Sequence, residues 1–458
     1  MQRVHFIAIG GEAMHNLAIA LSKKNEYEVT GSDDEIFEPS YSRLKENGLL
    51  PREIGWFPER IHKNLNAVIL GMHAAEDNPE LIRAKELGIH IYSFPEYLFQ
   101  QTRSKTRIVV GGSHGKTTTT AMILFVLKKC RIKADYIVGE QIEGYDERIK
   151  LSFESRIAVF EGDEYLTSTL DRRPKFHLYK PHIAILTGIA WDHINVFPTF
   201  EFYVDQFRKF LNTLETQARL IYFAGDENLK MLTDEAENTR RDVVSFPYNT
   251  PKYETRDGVT YVKTRKGEVA LKIFGEHNLQ NLEAAHLACR QIGVTDDHFY
   301  EAIADFPGVS GHMQKIVQKP GKTAFRDFAN SPSRLRATVN SARKQYPDRK
   351  LVACMELHTY SSLTEEYLPL YAGCMKGADV ALVYYNPEVV RRKRLKELTP
   401  DKVRSAFGGK NITVFTEISE LQKTLHSMNY DNSVLLFMTS DNFSGINLLE
   451  FAEELLAP

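Results

Sequence analysis

The stretch RIVVGGSHGKTTTTAMILFVL, residues 107–127, decides the fold. Its apolar start reads as a buried strand, Gly111, Gly112 and Gly115 as a turn, and the remainder as the start of a helix. Small residues at such a turn let consecutive backbone N–H groups point into one concavity, where the helix dipole helps them hold an anion. Lys116 adds a mobile positive charge, and the Thr117 hydroxyl can reach a bound Mg²⁺. The common G-x-x-x-x-G-K-[ST] spacing fails, because Val110 stands at the first glycine. Two readings follow: a phosphate loop of altered spacing, or a strand–helix turn with an incidental G-K-T. Four consecutive threonines, Thr117–Thr120, favour the first, since β-branched residues are mediocre helix formers.

Around that stretch lies a chain of 458 residues, too long for one ordinary core. Its 43% hydrophobic and 26% charged residues are those of a globular protein, and a net charge of −2 argues against a nucleic-acid partner. The N-terminus MQRVHFIAIGGEAMHNLAIAL is interrupted by Glu12 and makes a poor signal peptide, and no stretch is apolar enough to suggest a membrane span. Cys130, Cys289, Cys354 and Cys374 form no C-x-x-C pair, which fits a reduced, cytoplasmic setting. The basic run RRKRLK, residues 391–396, reads as a solvated helix face.

Strands and helices alternate along most of the chain, the rhythm of parallel α/β sheets. Strands are expected at VHFIAIGG, YEVTGSDD, NAVILGM and HIYSF, then at RIAVFEGDEY and PHIAILTGI, and finally at KLVACMEL, DVALVYY and SVLLFMTS. The polar segment QQTRSKTR, ending at Arg107, reads as a linker. Three domains are expected: 1–100, 101–317 and 318–458.

Further segments carry chemistry. FEGDEY (160–165) and the Asp192–His193 pair in ILTGIAWDHINVF place carboxylates and an imidazole at strand ends, a plausible metal-binding combination. In GEHNLQNLEAA (275–285), Asn278 and Asn281 fall one helical turn apart and can face one ligand. The N-terminal IAIGGEAM followed by Asp33 is a dinucleotide-type pattern of glycine turn, helix N-terminus and acidic strand end, although Ala8 and Ala13 replace two glycines.

GGSHGKTTTT resembles the G-T-x-G-K-T-T loop of the Mur ligases, the ATP-dependent amide-forming enzymes of bacterial peptidoglycan. In that family the loop is shorter than the general pattern, which accounts for Val110. The other segments resemble family motifs in the same order. The resemblance implies a Rossmann-like N-terminal domain, a P-loop ATPase-like central domain with a mostly parallel sheet, and a Rossmann-like C-terminal domain. It implies ATP contacts at Gly112, Ser113, His114, Gly115, Lys116, Thr117, Thr118, His277, Asn278 and Asn281. Mg²⁺ ligands would be Thr117, Glu161 and His193, with Glu164 and Asp192 nearby, and catalysis would rest on Lys116, Thr117, Glu161 and His193. UDP-sugar contacts would come from Gly10, Gly11, Glu12, Ala13, Met14 and Asp33, and acceptor contacts from Asp327, Asn330 and His358. DNPEL (77–81) also resembles a family segment.

Within the family, HFIAIGGEAM and SHGKTTT point to the branch acting on UDP-N-acetylmuramate. DRRPKF (171–176) resembles the member that adds the tripeptide L-alanyl-γ-D-glutamyl-meso-diaminopimelate in peptidoglycan recycling; the alternative adds L-alanine. Small-molecule substrates and a monomer or weak homodimer are expected. Three departures stand out: His312, Met313 and Gln314 where the family has an arginine and an acid, Asn330 for a histidine, and Gly188 for an asparagine. They leave open a third reading, a non-catalytic protein that binds nucleotide or UDP-sugar.

Overall fold

The computed structural model describes every residue except 143, 169, 192–195, 257, 409–410 and 458. Four sheets organise the chain. The first has strand order Tyr27–Ser32, Gln2–Ile7, Ala67–Leu70, Ile91–Ser93, with every neighbouring pair parallel. The second has seven strands, in the order Val244–Tyr248, Arg219–Phe223, Ile183–Leu186, Thr106–Gly111, Ile157–Glu161, Ala134–Ile137 and Ile149–Lys150. Only its last pairing is antiparallel. Strands covered on both faces must be apolar throughout, and Ile108, Val109 and Val110 are fully buried at the centre of this sheet.

The third sheet is a small antiparallel one, Tyr253–Arg256, Val259–Thr264 and Gly267–Leu271. The fourth has six strands, with Gln314–Lys319 antiparallel to Lys322–Asp327 and the rest parallel. Its parallel strands Lys350–Leu357, Val380–Tyr385 and Ser433–Met438 are those expected from sequence. The chain divides into two compact units. One comprises Met1–Ile189, Val196–Tyr248 and Ala284–Thr295; the other is built mainly from Asn249–Glu283 and Asp296–Pro458. The first two sheets lie in the former and the last two in the latter. Among the described residues no helix is long and apolar enough to cross a membrane.

Two sequence expectations are corrected here. QQTRSKTR is not a loose linker: helix Phe94–Thr102 ends inside it and strand Thr106–Gly111 begins inside it. Thr102, Lys105 and Arg107 are buried, the lysine paired with buried Asp135. Residue 318 is not a junction either, because it falls within the edge strand Gln314–Lys319.

Candidate active site

The phosphate-loop candidate sits at the carboxyl end of the central strand Thr106–Gly111, the side on which open α/β sheets bind ligands. Register decides its neighbours: Val110 pairs with Glu161 on one side and Gly111 with Leu186 on the other. The loop therefore meets the acidic segment and Thr187–Gly188. Gly112 has φ +125°, and a Cβ there would lie 2.3 Å from Thr187 Oγ1, so glycine is required twice over. Gly115, at φ +81°, opens helix Lys116–Lys129 from a left-handed cap. Ser113 N–H donates to the Gly188 carbonyl at 2.9 Å, and Thr187 Oγ1 donates to the His114 carbonyl. Gly188 has φ +143°, a backbone state side chains rarely adopt.

The acidic segment engages each reactive loop residue. Thr117 Oγ1 donates to Glu161 Oε1 at 2.8 Å, and Gly139 N–H donates to Glu161 Oε2 at 2.8 Å. Lys116 Nζ donates to the Gly112 carbonyl at 2.7 Å and lies 2.8 Å from Glu164 Oε2. Glu164 also accepts from Tyr203, whose hydroxyl is 2.9 Å from Ser113 Oγ. Burial pushes the Glu161 carboxyl up, against the opposing pull of the Gly139 amide and Lys116. Burial alone would lower the Lys116 ammonium; Glu164, with Asp163 and Glu161, overrides it and holds it above the usual lysine range.

A cavity of about 210 Å³ connects this loop to the N-terminal glycine turn: its walls include Glu12, Lys116, Arg148, Glu161, Asp163 and Lys175. Glu12 pairs with Arg148, which also donates to the Gly139 carbonyl at 3.0 Å. Gly11 caps helix Glu12–Ser22, and Gly10 N–H donates to Asp33 Oδ2 at 2.6 Å. Ala8, standing for a glycine, holds φ +66° in the same turn. Sequence reasoning missed Arg148 and Lys175, whose place in the cavity depends on tertiary neighbours. DRRPKF was the available signal for the latter.

Burial raises the Asp33 carboxyl to about 6, above its ordinary 3.8. The folded chain thus binds that proton more tightly than the unfolded one. The contribution is fully stabilising below about pH 4 and is lost as pH rises through about 6. Asp33→Asn is expected to gain stability relative to wild type as pH rises from 4 to 7; thermal melts across that window check it, and a pH-independent difference would refute it.

Other expected site residues lie in the second unit. His277, Asn278 and Asn281 are on helix Glu276–Gln291; Asn278 donates to the Phe274 carbonyl, and the His277 ring lies 3.2 Å from Ser341 Oγ. Burial, aided by His312 and Arg334, depresses His277 to about 4. Asp327 accepts from Met313 N–H at 2.9 Å, and the Asn330 carbonyl accepts from Tyr371. His358 Nδ1 lies 3.3 Å from Asp441 Oδ2, at the carboxyl ends of strands Lys350–Leu357 and Ser433–Met438. Asp192 and His193 fall outside the described residues.

A loop of amides, lysine and threonine at a central strand end, faced by carboxylates, defines a phosphate-loop α/β protein. Residues 3–106 match the family model "Mur ligase family, catalytic domain", and residues 110–289 match "Mur ligase middle domain". A UDP-N-acetylmuramate–L-alanine ligase of Desulforamulus reducens is 30% identical over 372 residues, covering 79% of this chain and 78% of that protein. One from Limosilactobacillus reuteri is 28% identical, covering 95% of each. Among solved structures, a murein peptide ligase from Psychrobacter arcticus aligns with TM-score 0.61 at 22% identity, over all of both chains. The UDP-N-acetylmuramate–alanine ligase of Thermotoga maritima aligns with TM-score 0.68 at 21% identity, over 100% of this chain and 98% of that one. The chain belongs to the Mur ligase family. It is an ATP-dependent acid–amino-acid ligase acting on small-molecule substrates.

Proposed function

We propose that this ligase joins UDP-N-acetylmuramate to the tripeptide L-alanyl-γ-D-glutamyl-meso-diaminopimelate, in the cytoplasm. The observation that carries the reading is the fold of the segment containing DRRPKF. After the acidic cluster the chain doubles back: Lys175 N–H donates to the Tyr165 carbonyl, Phe176 N–H to that of Asp163, and Thr167 N–H to that of Arg173. Asp171 and Arg173 pair with each other at the exposed tip, while Phe176 is buried against Phe210 and Lys175 enters the cavity wall. Lys175 thus reaches the candidate site, while the Asp171–Arg173 tip of the motif stays on the surface. The L-alanine ligase is the second reading, favoured by the names of the curated relatives.

The chemistry takes two steps. The lactyl carboxylate attacks the γ-phosphorus of ATP; a C–O–P linkage forms as the bond to ADP breaks. The tripeptide α-amine then attacks the acyl carbon, phosphate leaves, and the amine gives up a proton. Loop amides and Lys116 orient the phosphoryl group and offset its charge. Thr117 and Glu161 present hard oxygen donors side by side, a set that fits Mg²⁺. They would hold it with His193, the third ligand implied by the family motif, and the ion would supply charge neutralisation at the phosphoryl oxygens.

The test is phosphate release from ATP with UDP-N-acetylmuramate and either acceptor. Turnover with tripeptide at least tenfold above that with L-alanine is the expected result. The reverse preference would transfer the assignment to the L-alanine reaction, and no release with either would remove both.

A further inference from the structure

We infer that Lys175 holds the carboxylate of the acyl donor, and the acyl phosphate made from it, between the two nucleotide-binding turns. The inference rests on the proposed reading of the substrate. The cavity wall contains the glycine-turn residues Glu12 and Ala13 at one side and Lys116 and Glu161 at another. A UDP-sugar held at the first and a triphosphate at the second would bring carboxylate and γ-phosphate together within that space. Both partners are anionic there, so the wall needs cations beyond the one serving the phosphates.

Lys116 is held by Glu164 and the Gly112 carbonyl, and Arg148 by Glu12 and the Gly139 carbonyl. Lys175 has a different setting. Its ammonium has three donors, and among the described residues its hydrogen-bond acceptor is Asp163, at 2.6 Å, with the Tyr165 ring 6.0 Å away. Donors remain for a ligand.

The position is also fixed. Phe176, fully buried, stacks on Phe210 with centroids 4.6 Å apart, and the Lys175 and Phe176 N–H groups are both hydrogen-bonded to the acidic segment. Backbone and neighbour anchor the turn, so the lysine head is not needed to hold it. The Asp163 side chain is 41% exposed, and an ion pair so exposed adds little stability. A positioned cation with spare donors, in a cavity shared by two phosphate-binding turns, suits a carboxylate or phosphoryl group.

The experiment compares wild type, Lys175→Ala and Lys175→Arg in steady-state ligation. It also measures binding of UDP-N-acetylmuramate and of UDP-N-acetylglucosamine, which lacks the lactyl carboxylate. Losing a charge-assisted hydrogen bond should raise KM for UDP-N-acetylmuramate by roughly 10- to 100-fold in Lys175→Ala. KM for ATP should stay within about twofold, and arginine should restore part of the loss. UDP-N-acetylglucosamine should bind wild type and Lys175→Ala alike. Equal weakening toward both UDP-sugars would mean a structural role and overturn the inference, as would an unchanged KM for UDP-N-acetylmuramate. A wild-type protein that does not ligate UDP-N-acetylmuramate overturns the substrate reading, and this inference with it.

Discussion

Lys116→Met is expected to abolish ATP-driven ligation and, separately, to destabilise the protein; the two losses can be pulled apart. Removing a preorganised charge from a phosphoryl-transfer site costs on the order of 10²- to 10³-fold in rate. The stability loss has another origin. Glu164 is 1% exposed, and its counter-charge is Lys116 at 2.8 Å. Without the lysine, the buried Glu164 loses this counter-charge, and breaking such a pair costs about 3–5 kcal/mol. Adding Glu164→Gln removes that carboxylate charge and should recover most of the thermal stability while activity stays lost. A double variant that melts as early as Lys116→Met, or one that ligates, would refute the assignment of separate roles. Thermal melts and a phosphate-release assay read both quantities.

The same pair shows what the sequence could reveal. GGSHGKTTTT pointed to a strand–turn–helix with a candidate phosphate loop because its signals are local: glycines, lysine and threonine follow one another within one turn. The parallel strands were readable for a related reason, since covering both faces forces continuous apolar runs such as IVV and SVLLFM. That Glu164 binds Lys116 and Glu161 binds Thr117 depends instead on the pairing of two strands, Val110 opposite Glu161. Only the family resemblance brought these segments together in advance.

The small antiparallel sheet at 253–271 escaped notice because its strands are largely exposed and polar. Its turns nevertheless carry signals in RDGV and RKGE, where Gly258 and Gly267 take φ +73° and +131°. Arg148 and Lys175 were missed as cavity residues for the opposite reason. A lone basic residue such as Arg148 looks the same in sequence whether it faces solvent or a ligand, and in DRRPKF nothing local shows which of three basic side chains turns inward.

The largest stability effect away from the cavity is expected at Arg107, inside the segment that sequence reading took for a linker. A run of polar and basic residues suggests solvent, and nothing nearby in sequence reveals the partners that draw this side chain inward. Its guanidinium is 1% exposed. Nη1 donates to the carbonyls of Thr102, Arg103 and Lys105 at 3.0, 3.1 and 3.3 Å, and Nε to those of Tyr179 and Lys180 at 2.9 and 3.0 Å. Nη2 reaches Glu215 Oε1 at 2.6 Å. One planar fork therefore ties the end of helix Phe94–Thr102 to the start of the loop-bearing strand and to two distant segments. Burial lowers the arginine's proton affinity, with Glu215 opposing, yet an arginine remains charged at any relevant pH. Arg107→Met leaves several carbonyls without their donor at once and should cost about 3–5 kcal/mol. For a unit of this size that is on the order of 10 °C in melting temperature. Arg107→Lys keeps the charge but loses the fork, and should fall between the two. Because strand Thr106–Gly111 runs directly from this anchor to the phosphate loop, loosening its start should also shift the loop at its end. KM for ATP should therefore rise in Arg107→Met at temperatures where the variant is still folded. A variant that melts like wild type would mean that the buried fork is no anchor, and one that melts early with an unchanged KM would confine its role to stability.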